Sequence, residues 1–440
     1  MGKGKFKAVL KGIASFAAIT AVAVGLSACG NKSGNQDSAT SGQVTFINNH
    51  TDWQHDGTWK KIIAKFNKKY PNIKVNIQTL TDYEGGIKTR MNSKNYGDVL
   101  LMSNSIQPKD RPHYFVDMGS EKLLSKKYYG LANSSYDGKV YGLPTQMDAQ
   151  GMVVNWKVFQ KAGVKKYPKT PEEFISDLKA IKSKEKGVIP LYTNYAATWA
   201  LTNWDGVKIG ASGDPEYINK EMKDKTPYAK GKTLNTLMKT LYTISKDKLI
   251  EKDPTTSDWE QSKQDMADGK IGCMVLGSWA ISQIQAKNKK NANDIKFLAF
   301  PMTAKNGQQY ASWGPDYALA ISRYSKYPKA SRTFINWLVD DSDYAKIGGG
   351  IPSRKGRPFP AAVQSLKTAH VKLIQQAPAP KGEEGLMAAV QNDAQIGDQN
   401  GTLEQNVIDS ALGNNKQSFD QIMNNLNKKW GAAVEKNVKK

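Results

Sequence analysis

The sequence predicts an α/β protein built as two lobes with interwoven segments, and three observations carry that reading. A β-α-β-α-β order runs from Val44 to Met102, and a second α/β set opens near residue 170. The chain has 440 residues and no evident internal repeat, so more than one domain is expected.

Val44 to Ile47 reads as the first strand. In TWKKIIAKFNKKYP, Trp59, Ile62, Ile63 and Phe66 share one helical face and Pro71 ends the helix. IKVNI then alternates Ile73, Val75 and Ile77 with Lys74 and Asn76, as a strand does, and Val99 to Met102 is a third apolar run. In KTPEEF, Thr170 suits an N-cap, Pro171 the first helical position and Glu173 the end of a capping box. Phe174, Leu178 and Ile181 make that helix's apolar face. Strand-like VIPLY, a helix with Leu234, Leu237, Leu241 and Ile244, and the strand IGCMVL follow. Tyr317 to Ser322 reads as a strand leading to the helix KASRTFINWLV.

The N-terminus has its own logic. Lys3, Lys5, Lys7 and Lys11 precede an uncharged run from Ile13 to Ala28. A spanning helix needs roughly 20 apolar residues, and this run is shorter, so residues 1–28 read as a secretory signal. Leu26-Ser27-Ala28-Cys29 resembles the bacterial lipobox, which implies diacylglycerol attachment at Cys29 after cleavage; a stray cysteine beside an ordinary signal is the competing reading. Residues 29–42 are polar and read as a flexible tether with a reach of roughly 20 Å. Cys273, the only other cysteine, sits in IGCMVL and reads as a small buried hydrophobe. With Cys29 acylated no intramolecular disulfide is available, so the protein must rely on its cores.

The formal charge is +23, or about +19 without the four signal lysines. The lysines are scattered among acids and asparagines and no nucleic-acid motif appears, so nucleic acid is not an expected partner. A solvated surface suited to a polyanionic envelope fits better, with a few lysines available to anionic lipid near the tether.

Several stretches resemble one family in order and spacing. These are FNKKYPNIKVNIQ, KVYGLPTQMDAQGMVVNWKVFQKAGV, DMADGKIGCMVLGSWAI, SKYPKASRTFINWLVD and GGGIPSRKG. Together with the lipobox they resemble the extracellular solute-binding proteins of carbohydrate ABC importers, with maltose-binding protein a distant relative. The resemblance implies a periplasmic-binding-protein-like fold of two lobes, three hinge crossings and a ligand cleft between. The crossings would fall near Gln146 to Gln150, Ser312 to Asp316 and Gly349 to Ser353. Residues 43–147 and 314–348 would form lobe 1, and 148–313 with 349–440 lobe 2. The resemblance also implies a carbohydrate ligand, the transmembrane subunits of an ABC permease and their ATPase as partners, no cofactor, and a monomer on the outer face of the membrane. Tyr96-Gly97-Asp98 departs from the family's proline-aspartate pair, which puts the loop around Ser103 in question.

A neutral sugar offers flat C–H faces and hydroxyl pairs, so its site needs aromatic planes beside short polar groups. Trp53, Trp199, Trp204, Trp279 and Trp313 lie in polar, loop-like settings, whereas Trp59, Trp337 and Trp430 occupy helical faces and read as core. Trp279, after Gly277 and Ser278, matches a position that stacks on sugar in the family. Trp313 and Asp316 fall at the second crossing, and Asp148, assisted by Gln146, at the position of a sugar-binding acid. Thr51, Asp52 and Trp53 follow the first strand and Ser103 and Asn104 the third. Tyr192, Asn194, Tyr195 and Trp199 would face them from lobe 2, and Arg354 lies by the last crossing.

Rival chemistries are few. A membrane-tethered glycoside hydrolase needs two carboxylates about 5 to 9.5 Å apart, which Asp52, Asp148 and Asp316 could supply. A metal receptor would draw on His50, Asp52 and His55, but their spacing is not that of HExxH, and no metal is expected. Neither a GxSxG elbow nor a complete P-loop is present; Thr226 stands where a P-loop ending in GKT needs its first glycine.

Overall fold

The structure is a computed structural model that describes residues 37–81, 83–103, 105–396 and 401–438. Cys29 and the signal segment lie outside the described residues, as does Asn104.

Fourteen strands occur among the described residues. In chain order they are β1 (Ser41–Asn48), β2 (Asn72–Thr79), β3 (Val99–Leu101), β4 (Gly119–Ser120), β5 (Ser135–Tyr136), β6 (Lys139–Val140) and β7 (Leu143–Pro144). There follow β8 (Met147–Asn155), β9 (Ile189–Leu191), β10 (Ile271–Gly277), β11 (Ile295–Leu298), β12 (Tyr310–Pro315), β13 (Ala318–Ile321) and β14 (Lys372–Ile374). One sheet has the order β2-β1-β3-β13-β7, with β1 parallel to β2 and β3 and β13 antiparallel to β3 and β7. The other runs β14-β12-β8-β10-β9, with β11 also paired to β8. β4, β6 and β5 make a small third sheet.

Each large sheet has its own core, which is the α/β logic read from the pattern. The helix Thr58–Lys69 buries Trp59, Ile62 and Phe66 against β1, where Phe46 meets Trp59 edge-on at 5.5 Å. The helix Pro328–Asp340 packs Phe334 on Phe46 and Phe66 in the same core. In the second lobe Phe174, Leu178 and Ile181 of the helix Pro171–Lys184 join Leu234, Leu237, Leu241 and Ile244 of Thr233–Lys246 around β8 and β10. The C-terminal helices Thr402–Leu412 and Phe419–Asn437 add Val407, Ile408, Ile422 and Trp430 to that core. Cys273 is fully buried there, and burial pushes its thiol up.

The cap read at Thr170 forms with one change. The Thr170 hydroxyl accepts from the Glu173 N–H at 3.2 Å, but the Glu173 carboxylate reaches Lys169 N–H rather than that of Thr170. Asp98, in the unusual Tyr96-Gly97-Asp98 turn, accepts from Thr45 N–H at 2.8 Å and from the Ser325 hydroxyl at 2.6 Å. That turn therefore ties the start of β3 to β1 and to the segment after β13. Gly97 takes φ +73°, and a Cβ there would lie 3.0 Å from the Thr45 carbonyl oxygen.

The tether expected over residues 29–42 is too long at its C-terminal end. β1 begins at Ser41, and the Asp37 carboxylate accepts from the Lys329 and Ala330 N–H groups at the start of the helix Pro328–Asp340. Thr333 donates to the Ala39 carbonyl as well. Residues 37–42 thus belong to the folded body, because the orphan donors of a helix N-terminus attract a carboxylate.

The chain passes between the two large sheets at three places, and the passages lie side by side. Thr145 N–H donates to the Tyr317 carbonyl, and Asp316 N–H to that of Gln146. Met147 and Ile351 exchange both backbone hydrogen bonds. The passages are 144–147, 315–318 and 348–351, all at or beside the positions expected from the resemblance.

Candidate functional site

Two adjoining cavities open beside these passages, of about 460 and 840 Å³. Both are bounded by Glu121, Gly130, Ala132, Asn133, Pro315, Asp316 and Gln376. The smaller is lined by Tyr128, Tyr129, Asp148, Gln150, Gly206, Ile209, Trp279, Trp313 and Lys355. The larger reaches Met102, Ser103, Ile106, Arg111, Lys381 and Glu384. Residues of both cores therefore face one cleft, as a ligand held between two lobes requires.

Trp279 follows β10 and opens the helix Ala280–Lys287. Its indole folds back over Gly277, where a Cβ would sit 2.4 Å from the indole Nε1. Its ring packs against Trp199, at 5.6 Å, and Trp259, at 5.8 Å, but of the three indoles only Trp279 lines either cavity. Trp313 of β12 lines the same cavity, beside Tyr129 at 4.9 Å and Phe359 at 5.9 Å. Trp199 is 39 % exposed and meets solvent outside the two cavities.

Between the aromatics lies a carboxyl pair. Asp148 of β8 accepts from Gln146 Nε2 at 3.1 Å and from the Ser278 hydroxyl at 3.2 Å, and the Ser278 hydroxyl also accepts from Ala149 N–H at 3.0 Å. Burial, and then the charge of Asp316, push the Asp148 carboxyl up to about 8. Asp316 is also raised by burial, against the pull of the Tyr317 N–H and of His50. The pair therefore holds a proton at neutral pH, and presents the cleft with a donor as well as acceptors.

That proton has a consequence for stability. Between the unfolded value of 3.8 and about 8 the folded protein keeps a proton that the unfolded chain has lost. Stability contributed by this group is therefore complete below the unfolded value and falls as pH rises towards 8, by up to about 1.4 kcal/mol per pH unit. Asp148→Asn should flatten that part of the curve, so that the gap between variant and wild type in urea unfolding grows from pH 5 to pH 7.5 in the variant's favour. A pH-independent gap would show that Asp148 is ionised in the folded state.

The other sequence candidates divide clearly. Ser103 lines the larger cavity, and its hydroxyl donates to Glu84 at 2.5 Å while Tyr317 donates to the other oxygen of Glu84 at 2.9 Å. Gln146 stands behind Asp148, with its Oε1 buried and unpartnered, and lines neither cavity. Its amide fits only because Gly350 has no side chain; a Cβ there would meet the amide carbon at 2.3 Å. Trp53 is buried, stacked on His50 at 4.1 Å and set edge-on to Tyr344 at 4.9 Å. Thr51 is half-buried, and Asp52 points to solvent in an ion pair with His50 at 3.5 Å. Neither lines the two cavities.

Asn194 is buried and holds its loop through the Ser262 hydroxyl, and Tyr192 accepts from Asp258 N–H. Tyr195 donates to Asp409 at 3.0 Å on the outer side of the second core. Arg354 pairs with Asp340 at 3.6 Å and lies over the Tyr128 ring. Trp204, expected in a polar loop setting, is 1 % exposed and packs on Phe300 at 5.5 Å, because its loop folds into a short helix against the core. Tyr128, Tyr129, Lys355 and the segment 375–384 line the cleft without having been singled out in the sequence. They sit far apart along the chain, and only the TYR-TYR doublet carried a signal, as two rings in the polar stretch KKYYGLANSS. Among the described residues no group of three or more His, Cys, Asp and Glu gathers in a way that could hold a metal ion.

Comparison with known proteins agrees with this geometry. The family model described as bacterial extracellular solute-binding protein matches residues 52–345. The multiple sugar-binding protein of Streptococcus mutans is 25 % identical over 71 % of this chain and 75 % of its own. The diacetylchitobiose binding protein DasA of Streptomyces coelicolor is 25 % identical over 77 % of this chain and 80 % of its own. Among solved structures, BlMnBP1 of Bifidobacterium animalis subsp. lactis, a binding protein of an ABC transporter in complex with mannobiose, is 36 % identical. It superposes with a TM-score of 0.85 over 91 % of this chain and 96 % of that one. A manno-oligosaccharide specific solute binding protein from the same organism, BlMnBP2 with mannotriose, gives 36 % identity and a TM-score of 0.84 over 90 % and 95 %. With two thirds of its length under the family model and a structural match over 91 % of it, the chain belongs to the bacterial extracellular solute-binding proteins.

Proposed function

We propose that this protein captures a short oligosaccharide between its lobes and delivers it to the transmembrane subunits of an ABC permease driven by a separate ATPase. The observation that carries the reading is one cleft in which Trp279 and Trp313 face a space shared with the Asp148–Asp316 pair. Flat rings for C–H faces and paired carboxyls for hydroxyls are what a neutral sugar requires. The 36 % identity to proteins solved with mannobiose and mannotriose makes manno-oligosaccharides the first ligands to test.

In this reading residues 43–147 and 314–348 form one lobe, and 148–313 with 349–440 the other. They close about the three adjacent passages, because only the closed form engages both halves of the cleft. Gly349, at φ +77°, packs on Ser282 and leaves no room for a side chain at the third passage. The receptor acts as a monomer, held by a lipid on Cys29 at the outer face of the membrane, where tethering raises its concentration near the permease. It binds without turnover: Gln146 and Ser278 already engage Asp148, and the relatives are binding proteins.

Isothermal titration with mannobiose, mannotriose, raffinose and diacetylchitobiose tests the reading. One ligand should bind with a stoichiometry near one and be recovered intact by chromatography. Released monosaccharide would favour the tethered hydrolase instead, and no heat with any oligosaccharide would refute sugar capture.

A further inference from the structure

We propose that the face of the first lobe beside the point where the chain enters the fold docks on anionic phospholipid headgroups. The stretch RYSKYPK, residues 323–329, carries Arg323, Lys326 and Lys329 with no acid among them. All three side chains are exposed. Lys326 lines a hollow of about 370 Å³ together with Arg90 and Lys94, from the end of the helix Tyr83–Asn92 and the turn after it, while Arg323 and Lys329 flank it in sequence. Two acids on this face, Asp98 and Asp37, are hydrogen-bonded within the fold. Asp98 is held by Thr45 and Ser325, and Asp37 by the backbone of Lys329 and Ala330. Their donors are neutral, so both carboxylates keep their charge, but five basic groups, of which Arg90 is half-buried and donates to Gln78, outnumber them on this face.

The surface has the make-up of a membrane interface as well as its charge. Tyr324 is 49 % exposed, and the Lys94 ammonium lies over its ring at 5.3 Å. An aromatic ring with a phenolic tip among lysines suits the headgroup layer. Position favours the same occupant. Asp37 fixes the chain on this face, and Gly42 packs on Tyr327 and Ala330. If Cys29 carries the lipid, which rests on the anchored reading above, Asp37 stands eight positions further along the chain, an extended reach of about 28 Å. Anionic headgroups attract such a cluster within a Debye length, about 8 Å at physiological salt, so the tether holds the face where that attraction acts.

The test uses the chain from residue 29 onward with Cys29→Ser, so that no acyl chain contributes. It is sedimented with vesicles of 30 % phosphatidylglycerol in phosphatidylcholine, and with pure phosphatidylcholine. Binding is expected only to the anionic vesicles and should weaken in 0.5 M salt. The triple variant Lys94→Glu, Lys326→Glu, Lys329→Glu should lose at least tenfold in partitioning. A control with the same change in net charge on the other lobe, Lys186→Glu, Lys290→Glu, Lys416→Glu, should lose less than threefold. Equal losses in the two triples, or no binding to anionic vesicles, would overturn the proposal. Oligosaccharide titration of the first triple should match the parent, which separates this surface from the cleft. A melting curve confirms that each variant is folded.

Discussion

Trp279→Ala is expected to weaken oligosaccharide binding by about 30-fold while leaving the protein folded. The indole is half-buried, stands at the mouth of the smaller cavity and makes its ring contacts with Trp199 and Trp259. Removing it strips one wall of the cleft and trims only the half-buried edge of the core that holds Leu276, Ala280 and Ile281. A buried aromatic anchor at a binding site contributes about 2 kcal/mol or more, which corresponds to the stated loss. Trp279→Phe keeps a flat ring of smaller area and should fall between the two. Calorimetry on all three proteins reads the affinities, and circular dichroism melts check that Tm is nearly unchanged. An affinity for the alanine variant equal to wild type would remove Trp279 from the site and shift the burden to Trp313. By contrast, Trp204→Ala at a fully buried ring should damage the fold itself.

The contrast between Trp279 and Trp204 shows what could be read from the chain and what could not. Periodicity located the first three strands, the helices that cover them and the cap at Thr170, because those patterns are local and each rests on a few adjacent residues. Trp59, Trp337 and Trp430 were legible as core for the same reason: their helices have one apolar face. Trp204 and Trp53 were not, since a polar loop sequence does not tell whether the loop folds inward. Trp53 is buried by His50 and Tyr344, the latter almost three hundred residues further along the chain. The carboxyl pair was half legible. Asp52, Asp148 and Asp316 could be read as carboxylates able to converge, but which two pair depends on the pairing of β8 with β12, where Gly314 stands opposite Asp148. Tyr128, Tyr129 and the segment 375–384 escaped because the fold alone gathers them. The end of the tether was misjudged at Asp37, whose partner is a helix start nearly three hundred residues away.

Lys208→Met should destabilise the protein by about 3–5 kcal/mol at pH 8, more than any surface charge could. Lys208 lies in a short helix, Lys208–Ser212, with its ammonium 2.9 Å from Asp205 and 3.0 Å from Glu221. The lysine and Glu221 are both buried, whereas the Asp205 carboxylate is partly open to water. Burial opposes the charge on Lys208, but Asp205 and Glu221 more than offset it and hold the ammonium protonated. Burial pushes Glu221 up to about 7 even with the lysine beside it. Without Lys208 that carboxylate has no cation and must either stay charged in the core or take up a proton. The loss should therefore shrink as pH falls towards about 7 and stay level below, because there the wild-type Glu221 takes up a proton as well, so the gap to wild type in urea unfolding narrows above about pH 7 and not below it. The double variant Lys208→Met, Glu221→Leu should recover most of the stability, since two apolar side chains of similar volume replace a pair whose desolvation is costly. The network also bears on the cleft. Gly206 and Ile209, on either side of this lysine, line the smaller cavity, and Gly210 packs so tightly on β12 that a Cβ would lie 2.8 Å from Ser312 N. The buried ion pair thus braces the strand that carries Trp313. If the double variant is stable but binds oligosaccharide more weakly, the charges position the cleft wall; if it binds as wild type does, packing alone suffices. A single Lys208→Met variant as stable as wild type at pH 8 would show that Glu221 is neutral in the native core and that the ion pair contributes nothing to the fold.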